Sequence, residues 1–365
     1  TGIESSAGVH TVRLRDTLTG REFTTTARVV INATGVWADD VRALDENVHP
    51  DTIRPAKGVH LTVPWEKVRN DIAVVIPVPK DRRSLFVVPW VPKGDGTFRY
   101  TYIGTTDTDE PCDPSNVHAT ARDVQYLLNV GNHYFPEAKL VESDILSTWA
   151  GIRPLISQSG TASSVSREHE ILVDPSGMVT IAGGKLTTYR RMAKEVVDKA
   201  VGVLRLTGGI KGSLPDAHTA RHPLPGAVGW PEDDDMQRVI RAIQEAGIQE
   251  EDTAILFANT YGMRGVDLAQ RMKTDQGASL PLIPGRPERM VQVDWAIEKE
   301  FAKRISDIMI RRTQLYYRDL DQGLGAVLAV ARRMAERLGW SEEREKEEIE
   351  LYQTEVSRSR AWKTE

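Results

Sequence analysis

Residues Ile181 to Arg190 read Ile-Ala-Gly-Gly-Lys-Leu-Thr-Thr-Tyr-Arg, an apolar run that ends in a glycine pair and a lysine. Upstream, Met178, Thr180 and Ala182 alternate as a strand does; downstream, Leu186, Tyr189, Ala193, Val196, Val197, Ala200 and Leu204 recur at helical spacing. The segment predicts a strand, a tight turn at Gly183 and Gly184, and a helix. Two glycines let a ligand approach the backbone, and the first turn of the helix offers N–H groups and a positive dipole end to an anion. Lys185 adds a full charge there, with the N–H groups of Leu186, Thr187 and Thr188 beside it. A buried βα turn with a solvated lysine has the same pattern, so the choice falls to other segments.

Ala27-Arg-Val-Val-Ile-Asn-Ala-Thr-Gly-Val-Trp-Ala38 contains an apolar stretch, Val29 to Ile31, of the kind that forms a parallel strand covered on both faces. It ends in a turn of small residues, Ala33, Thr34 and Gly35, close to Trp37. Thr148-Trp-Ala-Gly-Ile-Arg-Pro-Leu155 sets Arg153 between Gly151, which permits close approach, and Pro154, which fixes the backbone. In this order and spacing the three segments resemble the FAD-dependent glycerol-3-phosphate dehydrogenases, of the quinone-linked aerobic type, along the whole chain. That family opens with a strand, a Gly-x-Gly-x-x-Gly turn and a helix that hold the FAD pyrophosphate, and this motif does not occur here. The chain opens at Thr1-Gly-Ile-Glu, in what reads as a β-hairpin, so a fragment lacking the N-terminal Gly-rich part is expected.

The resemblance implies a two-domain flavoprotein of mixed α/β (α+β) class, with an antiparallel sheet over the substrate and an all-helical C-terminal domain. The corresponding ranges are 1–46 and 151–206 for the FAD-binding domain, 47–150 for the substrate cap, 207–231 for a linker rich in Gly and Pro, and 232–365 for the helical domain. Within them, strands are expected at Gly58 to Val63, Ala73 to Val78, Ser84 to Val91, Phe98 to Gly104, Val141 to Ile152 and Glu170 to Val173, and a helix at Val117 to Tyr134. Further helices are read at Asp233 to Ala246, Glu251 to Tyr261, Gly265 to Thr274, Met290 to Glu300, Ile305 to Arg311, Leu324 to Leu338 and from Ser341 to about Arg360. Asp294, Glu298, Glu300, Arg304 and the Arg311-Arg312 pair read as solvated faces and ion pairs, and Glu342 to Glu350 as a charged helix surface.

Oxidising a secondary alcohol that carries a phosphate requires a hydride acceptor, a proton acceptor and a grip on a dianion. The resemblance puts Arg153 and Arg167 on the phosphate, as arginine forks suit. Lys185 stands where it meets both the flavin edge and a substrate oxygen. FAD contacts are expected from Ala33, Thr34, Gly35, Trp37 and from Gly183 through Thr188. The base is left between His60, in Lys57-Gly-Val-His, and His169, close after Arg167; His60 is carried as the catalytic candidate. Thr105 to Asp109 resembles a family segment near the flavin face of the cap, and equally a polar turn.

At 365 residues, 40% hydrophobic and 27% charged, the chain can bury a sizeable core. A net charge of −5 gives no sign of nucleic-acid binding, and one cysteine, Cys112, excludes a disulfide framework or a Cys-rich metal cluster. No metal is expected. The family further implies glycerol 3-phosphate as substrate, a membrane quinone as acceptor, and peripheral attachment to the inner, cytoplasmic face of the cell membrane; it leaves a homodimer open. Glycerol-3-phosphate oxidase, which gives electrons to oxygen, is a near alternative. An amino-acid oxidase relative would not need two phosphate arginines, and a non-catalytic truncated module would explain the missing glycine motif.

Overall fold

The alternating segments fold as strands. The computed structural model describes residues 1–46, 50–78, 84–108, 113–157 and 168–365. In it the strands are β1 (Gly2–Ser6), β2 (Val9–Arg15), β3 (Glu22–Ala27), β4 (Ile31–Asn32), β5 (Ile53–Pro64), β6 (Val74–Pro77), β7 (Ser84–Pro92), β8 (Phe98–Gly104), β9 (Ser147–Ile156), β10 (His169–Val173) and β11 (Val179–Gly183). They make three sheets, ordered β1-β2-β3, β10-β11-β4 and β6-β7-β8-β5-β9. The chain divides into two units. Thr1–Gly58, Asp107–Val117 and Gly151–His222 form the first; Val59–Thr106, His118–Ala150 and Pro223–Glu365 form the second.

In the first unit, β10 and β11 form an antiparallel hairpin across Asp174 to Gly177, and β11 pairs in parallel with β4 through Val179–Ile31 and Thr180–Asn32. The helix Tyr189–Leu206 lays Val196 and Ala200 on Val179 and Ile181. Each buried valine or isoleucine among them contributes roughly 1.5–3 kcal/mol, and the Ala200 methyl about 0.8 kcal/mol. Arg42, on the helix Ala38–Glu46, grips Asp174 at the hairpin turn with a 2.6 Å ion pair. One expectation is corrected. Val29 to Ile31 is not a strand covered on both faces: only Ile31 and Asn32 are in strand geometry, and Ile31 is 41% exposed while Asn32, on the other face, is buried. β11 and β4 pair with each other directly.

In the second unit the antiparallel sheet buries one face. Val59, Leu61 and Val63 of β5, Leu85 and Val87 of β7 and Ile103 of β8 pack with Val124, Leu127 and Leu128 of the helix Ala121–Tyr134. That helix starts at Ala121 rather than Val117. Thr120 and Asp123 form a reciprocal capping box that fixes its first turn. β9 likewise begins at Ser147, since Glu142–Asp144 forms a short helical turn. The helices Glu251–Tyr261 and Gly265–Thr274 fall where the periodicity puts them. Two further apolar clusters hold the helical part: one around Ile243, Phe257 and Leu268, the other around Val330, Met334 and Tyr352. Trp362 joins the core of the sheet, and the Thr148 hydroxyl donates to the Ser359 carbonyl at 3.0 Å, so the residues read as cap and those read as helical domain share one unit.

Two acids read as surface groups are buried. Asp294 is fully buried and receives paired hydrogen bonds from Arg333 (2.8 and 2.6 Å) and Arg337 (2.9 and 3.3 Å). Glu348, 1% exposed, accepts from Arg304 at 3.1 Å, from the Ile305 N–H at 3.2 Å and from Arg344. Helical periodicity alone does not distinguish a solvated face from one that meets arginines of a neighbouring helix.

Candidate functional site

Three of the predicted segments converge on one small core in the first unit. Ala38 closes the Ala33–Trp37 turn, Ile156 lies three residues beyond Arg153 at the end of β9, and Ala182 precedes Gly183; with Ile53 these side chains form a single buried cluster. The motif ends are therefore fixed relative to one another by apolar packing. The turn after β4 has a second clamp, which the sequence reading missed. Asn32 is 1% exposed; its amide donates to the Ala38 carbonyl at 2.8 Å and to the Thr180 hydroxyl at 3.3 Å, and its carbonyl oxygen accepts from the Thr34 hydroxyl at 2.6 Å. An amide directly after an apolar run was the signal available. Gly35 then takes φ +64°, with no heavy atom within 4 Å of where a Cβ would stand, and Trp37 is 43% exposed. The outer side of this turn is open.

The Gly183-Gly184 turn is built for a different reason from the one expected. Gly183 and Gly184 take φ of +72° and +86°. A Cβ on Gly183 would lie 2.7 Å from the Glu168 carbonyl oxygen, and one on Gly184 would run into Met192. The chain itself occupies the space on the Cβ side of both glycines. Lys185 is extended and exposed, and the turn Leu186–Thr188 follows before the helix proper begins at Tyr189. The Thr188 N–H donates to the Lys185 carbonyl at 3.0 Å, as does its hydroxyl at 3.0 Å, so Thr188 does not extend the anion-facing set of N–H groups. Leu186 and Thr187 keep that place at the mouth of the turn. Lys185, Arg190 and Arg191 bring positive charge to a helix end whose first turn carries no acid, an arrangement that the helix dipole opposes and a bound anion relieves.

Arg153 makes a 3.2 Å ion pair with Asp107, whose side chain is 6% exposed. The acid comes from Thr105-Thr-Asp-Thr-Asp109, where Lys57 and Thr108 exchange backbone hydrogen bonds at 2.9 Å. Arg153 thus enters the site oriented by a carboxylate, its own side chain 23% exposed. His169, the second candidate base, bonds through Nε2 to Glu195 at 2.7 Å; hydrogen bonds from Arg191 and His169 hold the Glu195 carboxyl below its ordinary range. Arg167 and Cys112 lie outside the described residues.

His60 belongs to the second unit. On β5 it faces Gly104 of β8, and a Cβ at Gly104 would collide with the imidazole, so the glycine makes room for the ring. The ring stacks on Trp149 at 5.1 Å with an interplanar angle of 6° and meets the Tyr102 ring edge-on at 6.0 Å. Trp90 and Tyr317 complete this aromatic wall, on the sheet face opposite the apolar core. Burial raises the Tyr102 and Tyr317 phenols, keeping both neutral. The wall was not foreseen, although the alternation of Tyr100 and Tyr102 on one strand is its signature.

Residues 1–198 match the family model described as FAD dependent oxidoreductase, and residues 217–345 the model described as C-terminal domain of alpha-glycerophosphate oxidase. The mitochondrial glycerol-3-phosphate dehydrogenase of Rattus norvegicus is 34% identical over 359 residues, which cover 96% of this chain and 46% of that protein. The aerobic glycerol-3-phosphate dehydrogenase of Staphylococcus haemolyticus is 32% identical over 351 residues, 94% of this chain and 60% of that protein. The solved glycerol-3-phosphate dehydrogenase from Bacillus halodurans complexed with FAD is similar with a TM-score of 0.77 at 28% identity, over 98% of this chain and 68% of that chain. The chain spans about half the length of the mammalian relatives that it matches.

Proposed function

We propose that this chain, which belongs to the FAD-dependent oxidoreductase family, is the part of a glycerol-3-phosphate dehydrogenase that handles the flavin edge and the substrate, and that the complete protein yields dihydroxyacetone phosphate and passes the electrons to a membrane quinone. The observation that carries the reading is the convergence on one core, through Ala38, Ile156 and Ala182, of the segments that carry the Ala33–Trp37 turn, Arg153 and the Gly183–Lys185 turn. Similarity to glycerol-3-phosphate dehydrogenases over nearly the whole chain supports the substrate.

The residues present fit FAD. The open outer side at Gly35, the exposed Trp37 and the Leu186 and Thr187 N–H groups give a flat ligand with anionic groups both room and donors. Bound FAD supplies the acceptor for the hydride from C2 of the alcohol. Arg153, held by Asp107, offers a guanidinium fork to the substrate phosphate, and Arg167 is proposed as its companion. Lys185 presents its charge to the cofactor edge and to the substrate oxygen. The His60 imidazole, its plane set by stacking on Trp149, is the proposed acceptor of the hydroxyl proton. Two electrons and two protons leave the alcohol in total, and the quinone takes both pairs.

Peripheral attachment to the inner face of the cell membrane belongs to the same proposal. Among the described residues no helix is long and apolar enough to cross a membrane. A homodimer is left to sedimentation analysis. The match of residues 217–345 to an oxidase family model favours oxygen as a second candidate acceptor. The test is made on the protein expressed from its full reading frame: with glycerol 3-phosphate it should reduce a soluble quinone analogue far faster than it forms peroxide in air. Stoichiometric peroxide at a comparable rate would make it an oxidase, and turnover with neither acceptor would remove the substrate assignment.

A further inference from the structure

Among the described residues Arg318 is a buried cation that no carboxylate meets at ion-pair distance. It is 8% exposed, its guanidinium lies 4.2 Å from the centre of the Trp90 ring, one Nη2–H donates to the Gln314 side chain, and its Nε has no hydrogen-bond partner. Among the described residues no carboxylate forms an ion pair with it; Glu288 acts on it only at longer range. Desolvation pushes the guanidinium down to about 10, far below the usual arginine value. Burying such a group costs several kcal/mol unless something compensates it.

The same side chain lines a cavity of about 440 Å³, together with Arg311, Arg312, Gln314, Asn259 and Thr260, and no carboxylate lines it among the described residues. Local structure gathers the three arginines. The wide turn Asp307–Arg312 closes on a Thr313 N–H to Ile308 carbonyl bond of 2.9 Å, five residues back, and delivers Arg311 and Arg312 side by side. Gln314 then takes a left-handed φ of +59° and starts the short helix Leu315–Arg318, at whose end Arg318 turns back over Gln314. Arg312 is steadied by Glu300 at 3.3 Å and Arg311 by Asp307 at 3.3 Å, contacts that use part of each fork. The rest of the lining, Trp90 under the Arg318 guanidinium with Val91, Pro92 and Leu256, is aromatic and apolar.

We propose that this cavity binds a phosphorylated small molecule, with the phosphate on Arg318, Arg312 and Arg311 and the remainder against Trp90 and Leu256. Asp307 and Glu300 offset Arg311 and Arg312, which leaves the Arg318 charge together with the remaining N–H groups of three forks; with the neutral groups of Asn259 and Thr260 these suit the several oxygens of a phosphate, and the volume suits a ligand larger than the bare ion. Apart from Trp90, which also belongs to the aromatic wall around His60, the site uses none of the residues assigned to the oxidoreductase chemistry, and it does not depend on that reading.

The test titrates inorganic phosphate into the FAD-loaded protein expressed from its full reading frame, at constant ionic strength, with thermal melting as the readout. A saturable rise in melting temperature is expected. Arg311→Gln should weaken the apparent affinity by about tenfold or more; its side chain is 56% exposed, so the variant stays folded even where Arg318→Gln does not. A control carrying Arg153→Gln with Lys185→Gln should keep the response. Soluble phosphate monoesters that reproduce the effect identify a free metabolite, whereas retention on phosphatidic acid vesicles that is lost in Arg311→Gln identifies a lipid headgroup; both uphold the site. An equal rise with chloride, a wild-type titration in Arg311→Gln, or loss of the response in the Arg153 and Lys185 control would each overturn it.

Discussion

At Gly183 the cost of a single methyl group can be separated into backbone and contact. An L-residue at φ +72° is strained by roughly 1–2 kcal/mol, and the Glu168 carbonyl oxygen 2.7 Å from the added Cβ has to move as well. Gly183→Ala should therefore destabilise by about 2–4 kcal/mol in a melting experiment. Gly35→Ala, with a similar φ but open space around the Cβ, should cost only the strain of about 1–2 kcal/mol. Equal losses at both positions would show that neighbours do not matter at Gly183. Arg153 poses a question of function. In the complete protein Arg153→Lys should lower kcat/KM for glycerol 3-phosphate by about ten- to a thousandfold, since a lost bidentate phosphate contact costs roughly 1.5–4 kcal/mol, while flavin content survives. A variant that loses FAD or fails to fold, yet shows normal kinetics in what does fold, would make the Asp107 ion pair structural only.

Between elements, the helix Val291–Lys299 is joined to Val327–Leu338 by one acid serving several arginines. Asp294 has no solvent contact and holds both Arg333 and Arg337, and Arg333 is raised above its ordinary value chiefly by that bond. The arginines keep part of their surface in water, so the full price of an isolated buried charge does not apply. Asp294→Asn should still destabilise by about 2–4 kcal/mol, read as a lower urea midpoint with unchanged slope. Asp233→Asn removes an exposed pair with Arg238 and should leave the midpoint where it is. If the two variants behave alike, burial of Asp294 carries no energetic weight. Alternation and helical period made most of these elements legible, down to the bounds of Glu251–Tyr261 and Gly265–Thr274. The four-residue helix Leu315–Arg318 was missed because so short a segment contains barely one period.

For the whole molecule the governing fact is what surrounds the turns at Gly35 and Gly183. FAD in this family is held largely through its pyrophosphate at a Gly-x-Gly-x-x-Gly turn, a motif absent from these 365 residues. The sheet β1-β2-β3 leaves Val9, Leu14 and Phe23 exposed, and Ile31 of β4 is exposed as well. Purified alone, the chain should bind FAD weakly or not at all, fail to oxidise glycerol 3-phosphate, and tend to aggregate. A yellow, active and monodisperse preparation would contradict this on every count.

The sequence by itself determined which segments become strands and helices, where the glycine turn and its lysine fall, and which arginine stands in the strand after Gly151. Those features are local: they follow from period, from turn chemistry and from the conformations open to glycine. Only the tertiary structure decided what occupies the space around them. It placed the chain's own Glu168 carbonyl and Met192 against the glycine pair, set Asp107 on Arg153, stacked His60 on Trp149, and buried Asp294 and Glu348 among arginines. The difference lies in sequence separation. Asp107 is 46 residues from Arg153 and Asp294 is 39 from Arg333, and pairings over such distances leave no periodic trace in either partner; they exist because packing brings the two ends together.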